Sequence, residues 1–293
     1  MNFIYDLLRP FAPIIGKYHK FILSLRYRKA LGRGLEKKNP QSFYDKIFWL
    51  SCNSDTQIWS QLADKYGVRD FINEKIGEEY LPKLYGVYDS AKDVDFSKLP
   101  NSFVIKTNNG CASNFLVRDK ANTDLEKIRK ELAYWLKFPY GELTGQRHYS
   151  RIKPRIIAEE FMYQEKNPGA ALIDYKFYCF NGKPMYCNVI SERIFNTHRF
   201  KKHMYDMDWK PLPEMFTSTE DLQEVEKPVT FEEMKRIVEI LAQGFSFVRV
   251  DLYEINGKIK FGEMTFMPGM DIGWTEEAQK HFGELIKLQA HVK

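Results

Sequence analysis

FVRVDLYEINGKIKFGEMTFMPGMD, residues 247–271, decides how the chain is read. Apolar and functional residues alternate through Val248-Arg249-Val250-Asp251-Leu252-Tyr253, the turn dipeptide Asn256-Gly257 follows, and alternation resumes at Ile259, the pattern of a β-hairpin. Side chains alternate faces with period two. Arg249, Asp251 and Tyr253 therefore share one face of the first strand, and Ile259, Phe261, Glu263 and Thr265 share one face of the second. Whether the two carboxylates meet depends on register, because a slip of one residue turns every side chain over. A two-residue turn at Asn256-Gly257 puts Asp251 and Glu263 on opposite faces. The expectation is a three-residue loop, Ile255-Asn256-Gly257, with Gly257 at positive φ, Glu254 opposite Lys258 and Arg249 opposite Glu263.

Carboxylates gathered in this way repel each other unless a cation lies between them, and a hard divalent ion with oxygen ligands meets that need. An edge hairpin with solvated charges fits the same spacing.

Outward from this stretch, 293 residues with 44% hydrophobic composition can bury a sizeable core. Cys52, Cys111, Cys179 and Cys187 form no CxxC pair, which points away from zinc and toward packing roles in a reducing compartment. No HExxH or Ser-His-Asp signature is present. The net charge of +5 is uneven: residues 1–40 hold nine Lys and Arg against Asp6 and Glu36, or +7, leaving −2 for the rest. In that arm Ile4, Leu8, Phe11, Ile15, Tyr18, Ile22 and Leu25 recur at helical spacing, Pro10 and Pro13 should interrupt the start, and a helix beginning at Pro13 is expected. Its basic residues suit peripheral contact with an anionic membrane, and equally a helix packed on the body with its basic side in water. No run approaches the ~20 apolar residues of a membrane span. No secretory signal is evident, and no nucleic-acid partner is expected, since the body is slightly acidic and no binding module follows.

Further motifs lie between arm and hairpin. Helical spacing runs over residues 42–52 and 56–76, with Gly67 and Gly77 marking ends or kinks. The segment Phe103-Val104-Ile105-Lys106-Thr107-Asn108-Asn109-Gly110-Cys111-Ala112-Ser113 is a strand ending in Lys, then a loop of small residues whose amides can form an anion-binding concavity; a plain Gly-turn hairpin is the alternative. Thr123 and Glu126 form a capping box for a helix over residues 124–137, and Thr230 with Glu233 another for a helix ending at Gly244. Residues 155–162 form a strand, and residues 174–180 and 184–190 form a hairpin with Asp174, Lys176 and Tyr178 on one face. Arg193 and the run Arg199–His203 suit an acidic substrate or are solvated charge. A last amphipathic helix is expected over residues 275–291.

Seven segments in order, NPQSFYDKIFW (39–49), LADKYGVRDFI (62–72), LPNSFVIKTNNG (99–110), KPRIIAEEFM (153–162), DYKFYCFNGKP (174–184), VRVDLY (248–253) and GEMTFMPGM (262–270), resemble the TupA-like branch of the ATP-grasp superfamily, found with polysaccharide and teichuronopeptide biosynthesis. The resemblance implies an α+β ATP-grasp fold, two α+β lobes gripping a nucleotide after an N-terminal helical region. Its divisions would be a basic arm (1–40), a helical or α+β region (41–99), a lid lobe (100–163) and a core lobe with the metal site (164–293). It implies ATP and Mg2+ as cofactors. Lys65 and Lys106 would bind the nucleotide, with Asn109, Gly110 and Ser113 in the phosphate loop. Glu159, Glu160, Phe161 and Met162 would form the adenine hinge, Glu165 a ribose contact, and Lys176 a second phosphate ligand. Asp251 and Glu263 would hold magnesium and Arg249 would face the transferring phosphate. The chain departs from the family's Glu-x-Asn by having Thr265 where an Asn commonly ligates metal, and a hydroxyl is the weaker ligand.

The function so implied is that of a cytoplasmic ATP-dependent carboxylate–amine ligase working through an acyl phosphate, adding an amino acid or amine to an acidic polysaccharide or its precursor. Its substrate would be an acidic carbohydrate or amino acid, with the arm at the inner membrane face. Two rivals remain: a glycosyltransferase using a nucleotide-sugar, and a nucleotide-binding scaffold without turnover.

Overall fold

Two antiparallel sheets, one in each of two units, carry the residues singled out above. The computed structural model describes residues 3–165, 169–194, 199–270 and 273–288. The first unit comprises residues 1–23, 56–71 and 81–162, the second residues 24–55, 72–80 and 163–293.

In the first unit β1 (Leu84–Tyr88), β2 (Phe103–Thr107), β3 (Asn114–Val117) and β4 (Ile156–Glu160) form a sheet in the order β1-β4-β2-β3. Alternation along β2 sends Phe103 and Ile105 into a core shared with Ile156 and Ala158, and the helix Leu125–Leu136 closes it with Ile128 and Leu132. Val104 and Lys106 are left on the other face. That helix is capped by Asp124, whose carboxylate accepts from Lys127 N at 2.9 Å, and not by the expected Thr123–Glu126 box. Asp124 is the last residue before the helix. The Thr123 hydroxyl is spent on Asp119 O at 2.6 Å.

The imidazole of His148 is 3% exposed beside the rings of Trp59 and Tyr149. Burial, reinforced by nearby Arg151, depresses its pKa to about 3. The unfolded chain therefore binds a proton that the folded chain refuses. This contribution to stability is complete above pH ~6.5 and is lost as pH falls toward 3, by about 1.4 kcal/mol per pH unit. Urea unfolding at stepped pH should show this slope in the native protein and its reduction by that amount in His148→Phe.

In the second unit β5 (Asp174–Phe180), β6 (Lys183–Ser191), β7 (Lys201–Asp206), β8 (Phe247–Ile255) and β9 (Lys258–Thr265) are ordered β7-β6-β5-β8-β9. One face, with Phe177, Val248, Val250 and Leu252 all at 0% exposure, is covered by the helix Phe231–Ala242, whose Phe231 stacks on Phe177 at 5.9 Å. The helix ends before Gly244. The expected Thr230–Glu233 box is absent, for Thr230 gives both its amide and its hydroxyl to Glu254 Oε2, at 3.0 and 2.6 Å. The other face is aromatic at one end, where Phe43, Phe247, Trp274 and Phe282 pack edge to face, and charged at the other, with Tyr178 at the boundary. The helix Glu276–Leu285 passes so close that a Cβ on Gly283 would lie 1.9 Å from Gln41 O. The expected end of this helix at His291 lies outside the described residues.

β1 and β7 were not legible as strands. β1 carries Gly86 at an irregularity, and β7 opens with Lys201 and Lys202 at the sheet edge, where charge is tolerated. Residues 56–76 form two helices, Gln57–Ala63 and Val68–Lys75, the break ending at Gly67, one of the two glycines expected to mark ends or kinks. Cys179 and Cys187 are buried, and burial pushes both thiols up, but Cys111 is exposed on its loop and is not a packing residue.

The hairpin register departs from expectation. Ile255 pairs with Lys258, so the loop is the two residues Asn256-Gly257, both at positive φ (51° and 75°). This type I′ geometry matches strand twist, which is why Asn-Gly favours it over the three-residue loop. Continued without interruption, it would set Gly262 opposite Asp251. Instead Leu252 pairs with Phe261 and Asp251 with Glu263, so Gly262 is a bulge residue, and Arg249 lies opposite Thr265, not Glu263. A Cβ on Gly262 would meet Asp251 O and the Tyr253 ring at 3.0 Å. Gly257 has open space around it, so Gly257→Val should cost ~1 kcal/mol or more through its backbone conformation alone. Denaturant unfolding of the variant checks this.

Candidate functional site

In the first unit, period-two alternation brings Lys106 of β2 and Glu159 of β4 to one face. Glu159 is 4% exposed and holds two cations, Lys106 Nζ at 2.5 Å and Arg69 Nη1 at 3.0 Å, while Arg69 Nη2 donates to Pro82 O at 2.9 Å. A buried carboxylate needs such partners. The loop after β2 is built rather than slack. Asn108, fully buried, accepts from Arg155 N at 2.6 Å and donates to Asp64 Oδ1 and Lys153 O at 2.8 and 3.0 Å. Thr107 closes the loop by donating its amide to Ser113 O and its hydroxyl to Ser113 Oγ. Lys65 Nζ donates to Gly110 O at 2.5 Å, and Asn109 is 7% exposed. A side chain at position 110 would press on the Tyr140 ring at 3.3 Å, so this glycine is set by packing as well as by loop chemistry.

The expected hinge divides. Glu159 is committed to its two cations. Glu160 exchanges backbone with Lys83, its amide donating to Lys83 O at 2.9 Å and its carboxylate accepting from Lys83 N at 3.3 Å. Phe161 lies under the Arg118 guanidinium at 5.2 Å, and Met162 is half-buried.

In the second unit Lys176, Arg249, Asp251, Glu263 and Thr265 converge on the charged end of the sheet. Arg249 is 8% exposed and forks onto Asp251, Nε to Oδ1 at 2.6 Å and Nη2 to Oδ2 at 2.7 Å. The same Nη2 donates to Glu263 Oε1 at 2.8 Å and Thr265 Oγ1 at 3.0 Å, and the Thr265 hydroxyl in turn donates to Glu263 Oε1 at 3.0 Å. Lys176 Nζ reaches Asp251 Oδ2 at 2.5 Å and Asp174 Oδ2 at 3.6 Å, and Arg193 Nη2 also meets Asp174 Oδ2 at 3.2 Å. Burial pushes the Asp251 carboxyl up, and Arg249 and Lys176 pull against it. With cations on both of its oxygens it stands as a carboxylate at neutral pH. Burial weighs most against charge on Arg249, but Asp251, Tyr178 and Glu263 together outweigh it and the guanidinium is held well above its usual range.

The donors suit a hard ion of magnesium's kind, since the two carboxylates converge within reach of one guanidinium nitrogen, Thr265 adds a hydroxyl, and the Glu263 side chain is 40% exposed. Among the described residues no cluster of three or more His, Cys, Asp or Glu could hold a metal alone. An ion here would complete its shell from phosphate and water.

Glu165 does not join this group. It sits at the turn end of the hairpin, its amide donating to Asn256 Oδ1 at 3.0 Å, while Gln164 pairs with Glu254 O and Asn256 N. Three residues escaped the sequence reading. Arg69 has no role in the sequence beyond its place in LADKYGVRDFI. Alternation gives Tyr178 the same face as Lys176 but no role, and Asn188 lies opposite Lys176 on the neighbouring strand. The Tyr178 hydroxyl and both polar atoms of the Asn188 amide are buried without a well-formed hydrogen bond among the described residues. Alternation along β6 was the signal that could have found Asn188.

A family model described as TupA-like ATPgrasp matches residues 45–287. Among solved structures, the D-alanine–D-alanine ligase from Bacillus anthracis complexed with ATP aligns at 15% identity and a TM-score of 0.49, over 79% of this chain and 66% of that one. The D-alanine–D-alanine ligase from Helicobacter pylori aligns at 12% and 0.43, over 84% and 67%. The ATP-grasp ligase PsnB complexed with minimal precursor, Mg and ADP aligns at 12% and 0.37, over 78% and 58%. The chain thus spans less than two thirds of the length of the first and last of these. No curated protein sequence matches.

Proposed function

Because this chain belongs to the TupA-like ATP-grasp family and has its α+β fold, we propose that it is an ATP-dependent carboxylate–amine ligase of the cytoplasm, joining an amino acid or amine to an acidic carbohydrate or its precursor. The observation that carries the proposal, beyond family membership, is the convergence of Asp251, Glu263 and Thr265 on Arg249 Nη2 at 2.7–3.0 Å, with Lys176 on the same carboxylate.

In this reading a substrate carboxylate oxygen attacks the γ-phosphorus of ATP, the bond to the β–γ bridging oxygen breaks, and ADP leaves. An amine nitrogen then adds to the acyl carbon of the acyl phosphate, and phosphate and a proton depart as the amide forms. Both partners of the first step are anions, so catalysis is mainly neutralisation and alignment. Lys106 and the amides of the Asn109–Ser113 loop would take phosphate charge, with Lys65 holding the loop through Gly110 O. Glu160, Phe161 and Met162 would border the base, and Glu165 the ribose. Arg249, already oriented by its fork on Asp251, would offer charge to the transferring phosphoryl group, and Lys176 would do the same beside it. Magnesium held by Asp251, Glu263 and Thr265 would supply further charge stabilisation to the phosphates.

The test is incubation with magnesium-ATP and a panel of amino acids and uronic-acid acceptors. ADP together with a hydroxylamine-trappable acyl phosphate is expected. Release of UDP or CMP from nucleotide-sugars would overturn the ligase in favour of a transferase, and nucleotide binding without turnover across the panel would make the protein a scaffold.

A further inference from the structure

The N-terminal arm runs through the helix Phe3–Leu8, a 3-10 turn Arg9–Phe11 and the helices Ala12–Lys17 and His19–Leu31, with interruptions at the Pro10 turn and at Tyr18 and with Pro13 in the first turn of the second helix. One side of it is firmly docked. Ala12 and Leu23 are each 3% exposed, a Cβ on Gly16 would touch Glu142 at 3.1 Å, and one on Gly145 would strike His19 O at 2.7 Å and Leu23 N at 2.8 Å. Arg9 lies over the Tyr134 ring at 5.6 Å, and Tyr134 hydrogen-bonds Asp6. The arm's demand for a buried apolar face is thus already met.

A second apolar face remains. Leu7, Phe11, Ile14, Tyr18 and Phe21, spaced four, three, four and three residues apart, are 57–62% exposed. This is not the stripe expected from the sequence, of which Ile15 and Ile22 are half-buried, although Phe11 and Tyr18 belong to both. A row of five large side chains in water is what an interaction surface looks like. Lys17 and Lys20 are exposed along it, Arg28 and Lys29 continue it, and residues 1–40 hold +7 of charge in a chain whose remainder is −2.

We propose that this face inserts in the plane of an anionic lipid bilayer, with Leu7, Phe11, Ile14, Tyr18 and Phe21 in the acyl boundary and the flanking lysines on the headgroups. The charge argues for this occupant. A second copy would bring like-charged arms together, and a nucleic acid would reward the lysines but leave Leu7 and Ile14 in water. A bilayer satisfies both chemistries and needs no shape-matched groove. No described helix is long and apolar enough to cross a membrane, so the contact is one of lying in the surface. The inference does not depend on the ligase chemistry.

Co-sedimentation of the full chain with vesicles of phosphatidylcholine and phosphatidylglycerol, against phosphatidylcholine alone, tests it. Binding to the mixed vesicles is expected, weakened but not abolished by high salt. Phe11→Ser with Phe21→Ser should lower partitioning roughly tenfold or more while leaving the thermal transition in place, because both side chains are exposed. Lys17→Glu with Lys20→Glu should lower it roughly tenfold on mixed vesicles only. Binding that salt abolishes and that ignores the Phe substitutions would overturn insertion and leave a purely electrostatic contact. Absence of binding, or a dimer in vesicle-free sedimentation that the Phe substitutions dissolve, would overturn the bilayer as occupant.

Discussion

Glu263→Gln should yield a folded protein with turnover reduced on the order of a hundredfold or more, whereas Asp251→Asn should lose both turnover and stability. The difference follows from burial. Glu263 has a side chain 40% exposed and shares Arg249 with Asp251, so removing its charge leaves the guanidinium still forked on a carboxylate. Asp251 is 2% exposed and is bonded by both Arg249 and Lys176. An amide in its place leaves two cations facing one neutral group in a site with little water, and breaking a buried pair from one side costs about 3–5 kcal/mol. Steady-state ADP release and denaturant unfolding, measured on both variants, separate the effects. Near-full activity in either would remove the carboxylate pair from the chemistry. An unchanged unfolding midpoint in Asp251→Asn would mean that the buried network is looser than its distances indicate.

Lys106→Ala should weaken ATP binding about tenfold or more, and Lys202→Ala much less, in isothermal titrations of the two variants. Lys106 stands at the end of β2, where the chain enters the small-residue loop, and its ammonium is 2.5 Å from Glu159. Lys202 lies over the Phe216 ring at 5.1 Å, on the edge strand of the other sheet. Loss of Lys106 should leave the first unit folded, because Glu159 keeps Arg69 at 3.0 Å. Equal weakening in the two variants would assign Lys106 to Glu159 alone and remove it from the phosphates.

The hairpins centred on Asn181-Gly182 and Asn256-Gly257, the strand-loop-strand around Lys106, and two separate faces, Asp174 with Lys176 and Tyr178 and Arg249 with Asp251, are legible in the sequence; the strand pairing that merges the two faces is not. Each rests on a local rule, either the period-two alternation of a strand or the positive-φ preference of Asn-Gly. The arm's helical spacing was legible too, with its interruption at the Pro10 turn. What the period could not say was which of two apolar stripes faces the body. That depends on Gly16 and Gly145, which come into contact with the arm or its partner only once residues 12–23 and 140–145 are packed together.

Residue order alone determined that Asp251 and Glu263 would be carried on paired strands and that Gly257 would sit at positive φ. Only the tertiary structure decided that they meet. The turn is the two-residue form, which by itself would have parted them, and a bulge at Gly262 restores the register at a point where a Cβ would come within 3.0 Å of Asp251 O and the Tyr253 ring. Likewise Arg69 and Glu159, 90 residues apart, become a pair only when a helix and a strand close on each other. Alternation and turn preference act over a few neighbouring residues and can be read along the chain. The placing of a bulge and the pairing of buried charges depend on what distant segments leave no room for, and on which cation is near enough to offset the cost of burying an acid.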